Sequence, residues 1–135
     1  MARPDERRLL QGAVALAAAV PILAGGAGVA TGGAFLTGVE PPLATDLDSH
    51  MRYLSGLLLG IGLAFLAAIP RIERNGVIFA GLGAIVVVGG LGRLLSLAVA
   101  GVPGPGHLFG LAMELAVVPA LVLWQRRIAA ARSGG

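Results

Sequence analysis

The chain has no cysteine and no lysine, and few charges of any kind. Without cysteine there is no disulfide, no thiolate metal site and no cysteine nucleophile. Charged residues make up 13% of the 135 positions, against about 25% in an ordinary soluble domain. A soluble fold of this length needs a polar surface that such a chain cannot supply. That scarcity excludes a soluble enzyme, a nucleic-acid-binding module and a disordered protein. The basic balance does not point to nucleic acid either, because the net charge is only +3 and the ten cationic residues, all arginine, are scattered. Strand-like alternation is also missing, so a membrane β-barrel is not supported.

What is present is apolar length. Hydrophobic residues reach 56%, and a membrane helix needs about 20 consecutive, mostly apolar residues. Four stretches qualify: 9–30, 51–69, 76–100 and 106–124. The connections agree, because proline lacks an amide donor and clashes with the preceding helical turn. Pro41-Pro42, Pro70 and Pro103-Gly104-Pro105 fall between the stretches. The expected fold class is an all-α integral membrane four-helix bundle with up-down-up-down order, forming one domain over 1–135.

Arginines set the expected orientation. Arg3, Arg7, Arg8, Arg71, Arg74, Arg126, Arg127 and Arg132 fall on one side of this arrangement, with Arg52 the only flanking arginine on the other. That eight-to-one split predicts a cytoplasmic membrane protein with both termini cytoplasmic. Trp124, beside Arg126-Arg127, reads as an interfacial anchor, and Tyr53 as another. The N-terminal region has features of a signal peptide. It is read here as a retained span, since removing it would leave three spans and put the arginines out of register.

Membrane helices associate by close packing of small residues. The second span carries Gly56, Gly60, Ala64 and Ala68 on one stripe; the third carries Gly92, Ser96 and Ala100, with Gly81 and Gly89 on another row. Such stripes serve packing within the bundle, or else a homodimer or a protein partner through Gly56 and Gly60. Pro21 and the run Gly25, Gly26, Gly28 predict a first span that kinks and then frays after about Gly28.

Two ionisable residues lie inside spans, Arg93 and Glu114. At 1.5 Å per residue they sit about 10 and about 12 Å from the same membrane surface. Adjacent antiparallel helices place them at matched depth, so they should pair, because either charge alone would be buried without a partner. Ser96 shares the Arg93 face, and His107 lies two turns from Glu114. With His50, Arg52 and the acidic residues Glu40, Asp46 and Asp48 of the outer loop, these residues predict a polar funnel opening outward above a dry inner plug. The Arg93–Glu114 pair reads either as a structural clamp or as a ligand or proton site. Asp48 or Ser49 is expected to cap the second helix. Asp46, Asp48 and His50, or His50, His107 and Glu114, could each be drawn as a metal set, but neither spacing argues for one. No metal or cofactor is therefore expected.

The segments Arg52-Tyr53-x-x-Gly56, Gly89-Gly90-x-x-Arg93-x-x-Ser96 and Glu114-Leu115 occur in this order. In this the chain resembles a bacterial family catalogued as domain of unknown function forty-three forty-five, over about 8–128. The resemblance implies a four-helix membrane fold and no established activity. The expected function is a non-catalytic accessory or interaction protein of the lipid bilayer. The alternative is a binder or carrier of a lipid, amphiphile or small anion through the funnel. A membrane enzyme using Glu114 or His107 as acid or base is a third reading, for which no nucleophile–base–orienter set can be drawn.

Overall fold

A computed structural model describes residues 4–34, 36, 38–40 and 42–133. Arg3 and Pro41, used above, lie outside the described residues. The described chain is helical: α1 (Pro4–Thr31), α2 (Thr45–Ala68) continued by a 3-10 turn (Ile69–Arg71), α3 (Gly76–Ala100), α4 (Pro105–Ala112) and α5 (Val118–Ser133). A π-helical turn, Met113–Val117, joins α4 to α5, so the two form one fourth span. Four helices are long and apolar enough to cross a membrane, over Asp5–Thr31, Thr45–Arg71, Gly76–Ala100 and Pro105–Ala131. The chain is an all-α four-helix bundle and a multi-pass membrane protein. Three helices run past the apolar stretches seen in the sequence, because polar residues such as Asp5, Asp46 and Arg126 extend them at their ends.

The surface is that of a membrane protein. Leu16, Val77 and Val88 are 77%, 89% and 67% exposed and face outward as lipid-compatible groups. The buried core gathers Leu10, Val14, Ala18, Phe65, Ile72 and Phe79. Phe65 and Phe79 meet edge to face, with ring centroids 5.2 Å apart.

Packing is closest between α1 and α2. A Cβ added at Gly25 would lie 2.5 Å from the Leu59 amide nitrogen, and one at Gly62 would lie 2.6 Å from Ile22. These glycines let the two backbones touch. The expected fraying after Gly28 does not occur. α1 runs through Pro21 to Thr31, because the glycine-rich turn lies against α2 and is held there. It ends at Gly32, whose φ of +62° takes the chain into the left-handed region. The Gly32 amide donates to the Gly28 carbonyl at 2.9 Å. On α3 the packing residues are Gly83, against Val122, and Gly90, against Leu115 and Glu114. Gly60, Gly81, Gly89 and Gly92 have open space at their Cβ positions, and Gly56 meets only Val29 of α1 at ordinary contact distance. The stripes picked out by four-residue spacing are thus largely not the ones that hold the bundle together.

One end of the bundle is stitched by side chains of α1 and α5, which reach each other, the end of α2 and the turn before α3. Arg7 donates to Glu73 at 3.1 Å and to the Pro70 carbonyl at 2.9 Å. Gln11 donates to the Ile69 carbonyl, Gln125 to the Ile72 carbonyl and the Trp124 indole to Glu6. Gln125 is fully buried, and its Oε1 has no partner. The expected dry plug is therefore apolar in its middle but closed at its end by side-chain amides. These amides satisfy carbonyls where α2 stops, the backbone groups that a helix end leaves over.

Candidate functional site

Arg93 organises the opposite end of the bundle. Its Nε and Nη2 donate to the two Glu114 oxygens at 3.0 and 2.9 Å, a bidentate pair between α3 and the π turn. Nη1 of Arg93 lies 2.9 Å from His107 Nδ1. A guanidinium can only donate, so Nδ1 accepts. The ring is then neutral and carries its hydrogen on Nε2.

Local sequence explains this placement. Pro105 stands at the first turn of α4, where its missing amide is not needed, and brings His107 in at the top of the span. Pro119 denies Leu115 the usual amide partner four residues on. The helix widens there, and the Val118 amide donates five residues back to Met113. That extra residue turns α5 by about 100° relative to α4. Pro119 and its widened turn were missed in the sequence, although a proline one turn beyond an intramembrane Glu was a legible signal. Gly90 gives room for the Glu114 Cβ, and the Arg93 guanidinium lies over Gly110, whose added Cβ would sit 3.6 Å from its central carbon.

The remaining candidates do not join this cluster. Arg52 turns to α1: its Nη1 donates to the Val29 and Ala30 carbonyls at 2.6 and 3.2 Å, and its Nε donates to Asp48 at 2.8 Å. It therefore satisfies the last carbonyls of α1 instead of facing a funnel. Asp46 and Asp48 belong to the first turn of α2, not to a loop. The helix cap is Ala44, whose side chain has no acceptor; α2 begins at Thr45, so Asp48 and Ser49, the expected caps, lie inside the helix. His50 and Ser96 are exposed and lie off the cavity described next. The single funnel of the sequence reading thus divides into an α1–α2 corner and an α3–α4 cluster. Among the described residues no three His, Cys, Asp or Glu converge on a possible metal position.

Between the two helical hairpins lies a cavity of about 970 Å³. Its deep wall is apolar, with Val14, Ala18, Phe65, Phe79 and Leu121. Arg93, Glu114 and His107 line it together with Gly104 and Pro105 of the connecting turn. Ser55, buried on α2, is a further polar residue on its wall.

The sequence profile described as Domain of unknown function (DUF4345) matches residues 9–125. The chain belongs to that family. No curated protein and no solved structure matches it. Within this family member, the Gly-Gly-x-x-Arg segment supplies both the glycine that admits the Glu114 Cβ and the arginine that Glu114 binds.

Proposed function

We propose that this protein binds or carries an amphiphile, with the apolar part between the hairpins and the polar head at Arg93 and His107. The observation that carries this reading is the cavity itself: one apolar volume, large enough for a drug-sized molecule, with an arginine–glutamate pair and a neutral histidine on its wall. A pair that served only as a clamp would not need to border such a space. In this reading the chain works as a single four-span unit of the cytoplasmic membrane, with both termini cytoplasmic. The arginines support that orientation: Arg7, Arg8, Arg71, Arg74, Arg126 and Arg127 flank the stitched end. Arg93 and the cavity polar groups then face the outer leaflet.

The test is native mass spectrometry of the protein in lipid discs. A copurifying amphiphile should be retained by Gly60→Phe, which points to open space on the outside, and lost in Gly89→Phe, which lines the cavity. Equal retention in both variants would place the amphiphile on the lipid face and refute the reading.

A second reading, an accessory protein of the membrane, is favoured by Gly60, Gly81 and Gly92. These small residues face outward with nothing packed on them and offer close approach to another helix.

A further inference from the structure

We infer that the head taken at Arg93 is uncharged and accepts hydrogen bonds, as an ester, ketone or amide carbonyl does, and is not an anion. This rests on the cavity reading above and names the chemistry of its ligand.

The first argument is charge. Arg93 and Glu114 are the formally charged residues among those lining the cavity, and they neutralise each other in a bidentate pair. His107 is neutral while its Nδ1 accepts from Arg93. The polar wall therefore offers no net positive charge. An anion would leave the site negative inside the membrane region, where an uncompensated charge is costly. It could bind Arg93 squarely only by displacing Glu114, which would then be a buried carboxylate without a partner.

The second argument is the donor count. A guanidinium has five N–H groups, and the carboxylate and the imidazole engage three of them. Two remain, and the Nε2–H of His107 is a third donor on the same cluster. The Arg93 side chain is also the more open of the pair, 30% exposed against 15% for Glu114. The accessible face is thus rich in donors but carries no net charge. A carbonyl oxygen satisfies both conditions, and its alkyl part continues into the apolar wall of Phe65, Phe79 and Leu121.

The experiment uses the full chain in phosphatidylcholine discs. Two probes of matched alkyl length compete for it, a long-chain fatty-acid methyl ester and an alkyl sulfonate, which stays ionised throughout the pH range. Adducts are read by native mass spectrometry. The ester should bind at least about tenfold more tightly than the sulfonate. In Glu114→Gln, which keeps shape and an acceptor for Arg93 but removes the negative charge, the ester-to-sulfonate affinity ratio should fall by at least about tenfold. Tighter sulfonate binding by the unaltered protein would overturn the head assignment while leaving the cavity reading intact. An unchanged ester-to-sulfonate ratio in a folded Glu114→Gln protein would overturn it as well. Binding of neither probe, or ester binding insensitive to Gly89→Phe, would overturn both the inference and the cavity reading.

Discussion

The two ends of this bundle are held by different means. At the stitched end Arg7, Gln11, Trp124 and Gln125 each reach across to another span or to the turn between α2 and α3. At the opposite end Arg52 ties α2 to α1, and Arg93 ties α3 to the fourth span, each within its own hairpin. The hairpins are joined where the bonds cross between them and spread where the bonds do not. The cavity lies in the spread part. The contrast teaches that polar side chains in a small membrane bundle can hold helices together in pairs without closing the space between the pairs.

That contrast can be broken from the open end first. Glu114→Ala leaves Arg93 partly buried without its carboxylate and should destabilise by about 3 kcal/mol, the lower part of the range for breaking a buried pair, since Arg93 is partly solvated. Changing Arg93 and Glu114 together to Leu should recover most of this. Unfolding in mixed micelles, followed by the fluorescence of the single Trp, reports both. A double variant as unstable as the single one would show that pairing is not what holds α3 to the fourth span.

Gly25→Ala tests the α1–α2 hairpin. The new Cβ would meet backbone at 2.5–2.9 Å, and backbone cannot swing aside as a side chain can. A loss of about 2 kcal/mol is expected, while Gly60→Ala, facing open space, should stay within about 0.5 kcal/mol. Equal effects at the two positions would mean that the hairpin is not in backbone contact at Gly25.

Arg52→Ala removes hydrogen bonds to the last carbonyls of α1 at an exposed site. It should lower global stability only slightly and should speed amide exchange at the start of the α1–α2 connection. If exchange there is unaltered, Arg52 does not hold the end of α1.

A small change is expected at the stitched end as well. Gln125→Leu loses one bond to the Ile72 carbonyl but also removes a buried oxygen that has no partner. These effects oppose, and Arg7, Gln11 and Trp124 still cross between the spans, so the net loss should be under about 1 kcal/mol. A loss as large as that of Glu114→Ala would show that the stitched end depends on one residue, and the two ends would then not differ in kind.

Much of the fold was legible in the sequence. The third span was read at its observed bounds, 76–100, because glycine, proline and charge mark both of its ends. Arg93 and Glu114 could be matched in depth because rise per residue is fixed by the helix. The glycines that pack could not be picked out in the same way. Gly62, Gly83 and Gly90 make the close contacts, while Gly60 and Gly92, equally good by spacing, face outward. Spacing along a helix shows which residues share a stripe. It does not show which stripe is turned toward a neighbour.

Arg52 makes the same point for charge. From sequence it belongs with the outward-facing polar groups; in space it serves the last turn of a helix more than twenty residues earlier, at the Val29 and Ala30 carbonyls. The sequence by itself determined the membrane class, the number of spans and the place of Arg93 and Glu114 along theirs. Those properties depend on hydropathy and on distance along a helix, which are local. Only the tertiary structure decided the rotation of each helix about its axis, the destination of Arg52, and the cavity left between the hairpins. Those depend on how two surfaces fit at once, a condition that no single helix carries in its own residues.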